Sequence, residues 1–251
     1  MTLKRFRVDQ LTHPLYTYRC SLEDVEYEPS DFTHGKIVKK SGTAGFDPLN
    51  INECLSEKIV KRPTCFDSFE QDPITRRPLN PLGRTGLGGR GLLRNWGPNQ
   101  AGDALVTRRT LDGKIEFVAI KRKDNGMWAI PGGRLEPGES VHECVRREFE
   151  EEACAFEEKD MPPIRERLDE LFAKAVLVYH GVVLDPRTTD HAWMETQCEH
   201  VHIEDSHLFQ VKGGDDASEA KWIRADPSVE EFKKLFANHG EMILLAIDRL
   251  Q

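Results

Sequence analysis

Glu148, Glu151 and Glu152 stand at i, i+3 and i+4, so a helix through them carries three carboxylates on one face. Like charges at neighbouring helical positions cost stability until something neutralises them. Hard oxygen donors on a rigid element suit Mg²⁺ or Mn²⁺, which take a few carboxylates together with water and substrate phosphates. An acidic run alone most often marks a solvated face. This one is preceded by the glycine-rich stretch Gly132-Gly133-Arg134-Leu135-Glu136-Pro137-Gly138-Glu139, and Arg147 stands beside the first carboxylate. A loop folded back onto the helix would pair Arg147 with Glu139.

The elements that must position these groups are legible around them. Ser140 sits at an N-cap position and Glu143 three residues later completes a capping box, which fixes where the helix starts. Val141, Val145 and Phe149 recur every fourth residue and supply its buried stripe. Upstream, Asp103 to Arg109 and Ile115 to Lys121 read as strands around the turn Leu111-Asp112-Gly113, and Met127 to Ile130 as a short buried strand stopped by Pro131. Downstream, the pattern predicts a polar helix near Pro163 to Phe172 and strands over Ala173 to Leu184, Ala192 to His202 and Ala220 to Ile223. Helices over Val229 to Phe236 and Gly240 to Leu250 close the chain. Hairpins interleaved with helical crossovers place the protein in the α/β class, a mixed sheet covered by helices.

Residues 100–251 thus form the main domain. Residues 1–80 are polar, weakly periodic and broken by Pro14, Pro29, Pro48, Pro63, Pro73 and Pro78, as expected of a smaller irregular N-terminal accessory domain or cap. Between them, residues 81–99 form a glycine-rich connecting segment. Its Leu92-Leu93 pair, Trp96 and the arginines Arg84, Arg90 and Arg94 are unlike a flexible linker. They suggest closely approaching backbones with arginines aimed at phosphate or at carboxylates.

Bulk properties narrow the class. The 251 residues suffice for one large domain or two small ones with a buried core. A net charge of -8 argues against a nucleic-acid partner, which calls for a basic footprint. Cys20, Cys54, Cys65, Cys144, Cys154 and Cys198 are scattered, without C-x-x-C spacing, as in a reduced compartment. No run approaches the roughly 18 apolar residues of a membrane span, and Met1 to Arg7 is basic without the apolar segment of a secretory signal.

The central stretch resembles the Nudix box in order and spacing: Gly133, five residues, Glu139, seven residues, Arg147-Glu148, Phe149, one residue, then Glu151-Glu152. It departs at Cys154, where the family places a glycine; without that left-handed stop the helix is expected to run on. The resemblance implies a Nudix fold, a mixed β-sheet sandwiched between helices. It also implies hydrolysis of a nucleoside diphosphate linked to another group. Glu148 and Glu152 would be metal ligands, Glu151 would share the cluster, and a carbonyl of Gly132 or Gly133 would complete it. Arg147 would orient the loop. Mg²⁺, or Mn²⁺ in its place, would be the cofactor.

Three further segments narrow the substrate. Residues 80–99, 121–133 and 185–196 resemble the mitochondrial-type ADP-ribose pyrophosphatases of animals and, equally, the C-terminal ADP-ribose-sensing domain of melastatin-type TRP channels; before residue 80 the likeness is loose, around Tyr27-Glu28-Pro29. On that resemblance ADP-ribose is the small-molecule partner, with Arg134, Asp185, Arg187, Asn238 and His239 as substrate-binding candidates. A carboxylate accepts from sugar hydroxyls, and a guanidinium donates to phosphate. The general base stays open among Asp215, Asp216 and Glu219 of the loop beginning at Gly213, or Glu151 itself. The expected products are AMP and ribose 5-phosphate, and the expected state is a monomer without a membrane span. A cytoplasmic location is expected, with mitochondria, or the cytoplasmic side of the plasma membrane in a channel, as the alternatives.

Overall fold

The computed structural model describes residues 28–53, 58, 59, 61–204 and 210–250. The expectations for Met1 to Arg7, Pro14, Cys20, Tyr27 and Cys54 lie outside them. The chain divides into two compact units, one of residues up to Gln100 together with Gly181–Glu195, the other of Ala101–His180 with Thr196–Gln251.

In the first unit, strand β1 (Ser30–Thr33) is followed by helix α1 (Gly35–Lys40) and pairs in parallel with β2 (Leu87–Gly91). Gly89 has φ +77°, and a Cβ there would collide with the Phe32 carbonyl, so glycine is what lets the two strands meet. A small core of Ile51, Ile59, Phe69, Trp96 and Trp193 fills the unit. Glu195, fully buried, accepts from Thr64 Oγ1 at 2.6 Å, Cys65 N at 2.7 Å and Trp193 Nε1 at 2.7 Å. The arginines of the glycine-rich stretch partly depart from expectation. Arg90 is buried and donates to the carbonyls of Asp47 at 2.8 Å and Arg94 at 2.7 Å and to Ser41 Oγ at 2.6 Å, while lying over the Trp96 ring. It ties loops together through carbonyl oxygens, because the turns around it leave peptide groups that need a donor.

Strands β3 (Gly97–Arg109), β4 (Ile115–Arg122), β5 (Trp128–Ala129), β6 (Gly132–Arg134), β7 (Val176–Val182), β8 (Ala192–Ile203) and β9 (Ala217–Arg224) form a seven-stranded sheet. Its order is β5-β4-β3-β8-β7, with β6 against β3 and β9 against β4. The expected turn joins β3 to β4, with Gly113 at φ +77° and Thr110 N–H bonded to the Lys114 carbonyl at 2.8 Å.

Alternation along the strands of the second unit makes two apolar faces. Ala104, Val106, Val118 and Ile120 pack against α2 (Val141–Ala153) and α3 (Met161–Phe172). Leu105, Phe117, Ala119 and Ile223 pack against α4 (Glu230–Lys233) and α5 (His239–Ile247). The sheet is sandwiched between helices, as expected. The terminal helices are shorter than the periodicity suggests, and β3 and β9 begin earlier.

Candidate active site

Helix α2 starts where its capping box puts it. Ser140 Oγ accepts from Glu143 N at 3.3 Å, and Glu143 Oε2 accepts from Ser140 N at 2.8 Å. Val145 and Phe149 are fully buried, and this orientation brings the acidic face towards β6. The Glu148 carboxylate lies against the α-carbon of Gly133, where any Cβ would collide with it. Glu152 Oε2 accepts from the Gly132 N–H at 3.0 Å.

The preceding loop is held as anticipated. Arg147 grips Glu139 through both carboxylate oxygens, Nε to Oε1 at 2.7 Å and Nη2 to Oε2 at 2.9 Å. Its Nη1 donates to Glu148 Oε1 at 2.7 Å and to Glu151 Oε2 at 3.1 Å. Its Nη2 also reaches the Arg134 carbonyl at 3.3 Å, so one guanidinium ties loop, strand end and helix together. This pairing holds the Glu139 carboxyl below its ordinary range.

Convergence of the three carboxylates on one point is not what the side chains adopt. Among the described residues no three His, Cys, Asp or Glu side chains close on a common centre. Helical spacing puts the three on one face, but each takes its own partner: Glu148 and Glu151 bond Arg147, and Glu152 bonds Gly132. Glu151 is also 42% exposed, whereas Glu148 is only 13% exposed. Nor does α2 run on past Cys154. It ends at Ala153, and a strand-like bridge takes over, with Lys212 N donating to the Ala153 carbonyl at 2.8 Å and Ala155 N to the Lys212 carbonyl at 3.0 Å. Tertiary pairing stops the helix where no glycine does.

One carboxylate at this site went unnoticed in the sequence. Asp103 lies in the middle of β3, 6% exposed, its Oδ2 accepting from Thr196 Oγ1 at 2.6 Å. Burial raises its pKa to about 7, with the charge of Glu148 adding to the rise. Burial likewise pushes Glu152 up to about 8, helped by Glu148 and Asp103, and raises Glu148. A lone acid inside Ala-Gly-Asp-Ala-Leu-Val, a strand otherwise made for a core, was the available signal. Buried carboxylates that oppose one another's ionisation around two glycines fit a hard divalent cation, the charge that would relieve them.

The remaining candidates fall as follows. The 213–214 turn touches α2 by backbone, Gly214 N donating to the Glu152 carbonyl at 3.2 Å. Asp215, Asp216 and Glu219 are exposed, and Asp215 has φ +37°. Asn238 and His239 are buried at the start of α5. Asn238 Nδ2 donates to Tyr179 Oη at 3.0 Å, and His239 Nδ1 accepts from Ile130 N at 3.1 Å. In the first unit, Asp185 is 1% exposed and accepts from Arg187 N and Nε, both at 2.8 Å, and from Nη2 at 2.5 Å.

Comparison with known proteins settles the family. Residues 97–244 match the model of the NUDIX domain, more than half of the chain. The chain belongs to the Nudix family. Residues 17–97 match a second model, the NUDT9-like, N-terminal domain. Among Nudix relatives, the chain is 46% identical over 188 residues to putative nudix hydrolase 6 of Caenorhabditis elegans, covering 73% of this chain and 68% of that one. It is 37% identical over 248 residues to the mitochondrial ADP-ribose pyrophosphatase of Rattus norvegicus, covering 89% and 69%. It is also 43% identical over 182 residues to transient receptor potential cation channel subfamily M member-like 2 of Nematostella vectensis, covering 66% of this chain and 12% of the channel. Nudix ADP-ribose pyrophosphatases generally use a divalent metal, in keeping with the buried Glu152 and half-buried Glu148 of α2. Among the described residues no helix is long and apolar enough to cross a membrane.

Proposed function

We propose that the protein hydrolyses the diphosphate of ADP-ribose to AMP and ribose 5-phosphate, with Mg²⁺ as its cation and Mn²⁺ able to replace it. The observation that carries this reading is the complete acidic set on α2, with the half-buried Glu148 against Gly133 and the buried Glu152 bonded to Gly132. The likeness to the rat enzyme, which extends over 89% of the chain, supports the choice of substrate.

Glu148 and Glu152 would hold the cation, with Glu151 and the Gly133 or Gly132 carbonyl beside them. A cation held there would supply the charge to polarise phosphoryl oxygens and activate water. The chain's own residues supply position and charge, which dominate phosphoryl chemistry. Arg147 fixes the loop against the helix. Arg134, Asn238 and His239 would be the substrate-binding candidates of the second unit, and Asp185 and Arg187 those of the first. Asp215, Asp216, Glu219 and Glu151 are the candidates to accept the proton of the attacking water. Water adds to one phosphorus, the bridging P–O bond breaks, and the second phosphate leaves with its electron pair.

A panel of nucleoside diphosphates linked to sugars or second nucleosides, assayed with Mg²⁺ on wild type and Glu148→Gln, tests the reading. ADP-ribose should give the highest kcat/KM, and the substitution should lower it at least a hundredfold with the fold retained. Absence of AMP from the wild-type reaction overturns it. The second reading, an ADP-ribose-sensing domain of a melastatin-type channel, draws on the 43% identity to the Nematostella channel; tight binding of ADP-ribose without turnover would favour it.

A further inference from the structure

Within the second unit, a chain of polar contacts runs from the centre of the sheet to the carboxylates of α2. Thr196 Oγ1 on β8 donates to Asp103 Oδ2 on β3 at 2.6 Å. Asp103 Oδ1 faces His239 Nε2 at 4.0 Å. At its other nitrogen, the His239 ring accepts the Ile130 N–H at 3.1 Å. A neutral imidazole that accepts at Nδ1 carries its proton at Nε2, the edge turned to Asp103. That side of Asp103 also lies over the α-carbon of Gly132, where a Cβ would collide with Oδ1 and come within 2.8 Å of the Gly102 carbonyl. The N–H of Gly132 is what holds Glu152 Oε2, at 3.0 Å.

Residues 130–132 are therefore gripped from two sides. Ile130 is bonded to a ring whose tautomer faces Asp103, and Gly132 is seated on Asp103 itself. The same segment presents Glu152. A buried carboxylate in an apolar strand lowers stability unless its surroundings compensate, so its presence calls for a task that a hydrophobic residue cannot perform.

We propose that Asp103 is a positioning residue for the phosphohydrolase reaction: it seats Gly132 and backs the Nε2–H edge of His239, so that the 130–133 segment keeps Glu152 in place. This rests on the reading that Glu152 and His239 belong to the reactive site. It assigns no substrate or cation contact to Asp103.

Asp103→Asn keeps the shape and replaces the carboxyl by an amide, Thr196→Val removes the hydroxyl, and Thr196→Ser restores it. The first readout needs no substrate. With ¹⁵N-histidine labelling, wild type should show His239 as one Nε2–H tautomer, and Asp103→Asn should shift its Nε2 resonance. The second readout is steady-state kinetics on whichever diphosphate the wild type turns over best. Asp103→Asn and Thr196→Val should lower kcat tenfold or more with KM changed less than threefold, and Thr196→Ser should recover most of the loss.

A wild-type kcat in Asp103→Asn overturns the proposal. So does a kcat loss with the His239 signature unchanged, which would place Asp103 in a different role. Failure of wild type to act on ADP-ribose would instead sink the substrate assignment and leave the histidine experiment intact. Should Asp103→Asn fail to fold, the Thr196 pair carries the same two readouts.

Discussion

At the scale of single residues, Gly132 and Gly133 separate stability from activity. The nearest atoms to a Cβ at 133 all belong to the carboxylate of Glu148, the movable end of a side chain, with Oε2 at 2.6 Å. A Cβ at 132 meets the Asp103 carboxylate and also backbone, the Gly102 carbonyl at 2.8 Å and Asp103 Cα at 3.0 Å. Gly133→Ala should therefore displace Glu148, leaving the melting temperature within a few degrees of wild type while lowering kcat at least tenfold. Gly132→Ala should cost about 1–3 kcal/mol of stability by overpacking as well as lowering activity. Calorimetry beside steady-state kinetics on the two variants checks the contrast; equal melting temperatures would contradict it. The carboxylates of α2 were legible because a helix brings near neighbours in sequence onto one face. Asp103 was not, because its partners Thr196 and His239 come from distant stretches that only the fold unites.

At the scale of elements, Cys154 shows how a helix ends without its usual signal. Cys154 has φ -127° and ψ 43°, outside the left-handed region, and its side chain is buried in the core beside Ala153. The bridge to Lys212 satisfies the last turn instead. Cys154→Gly restores the residue usual in the family, yet here it should destabilise the protein by about 1–2 kcal/mol, through lost burial and added backbone freedom in the unfolded chain. Urea unfolding measures this, and a gain in stability would show that the glycine stop matters more than the packing. The start of α2 was readable because a capping box is local. Its end was not, because the stop comes from a strand-like segment far along the chain.

At the scale of the whole molecule, buried acids make stability depend on pH and on cations. Glu152 is raised to about 8 and Asp103 to about 7, so both hold protons in the folded state that they release in the unfolded one. A carboxyl raised in this way favours folding below its unfolded pKa and loses that contribution as pH climbs to its folded value. Metal-free protein in EDTA should therefore lose stability between about pH 4 and pH 8, by at most about 1.4 kcal/mol per pH unit for each group. Saturating Mg²⁺ should flatten the decline and raise the melting temperature, since a ligand of the folded state alone stabilises it. A flat EDTA profile with no response to Mg²⁺ would contradict the cation site. The burial of His200, lowered to about 4 beside Thr107 and His202, acts on the other flank, weakening the fold as pH falls below about 6.5. The α/β class and the sandwich followed from alternation and periodicity. The return of residues 181–195 to the first unit did not, since nothing local in that stretch marks its destination.

That return bears on how the protein emerges from the ribosome. Trp193 belongs to the core of the first unit, and Glu195 is the acceptor for Thr64 and Cys65. Nascent chain up to Gln100 thus lacks part of its own interior until most of the second unit has been synthesised. Loop closure over so long a stretch is slow, and the apolar surface around Trp96 and Phe69 stays uncovered meanwhile. The first unit therefore completes its core only after Ala101–His180 has been made, although most of its residues precede that stretch.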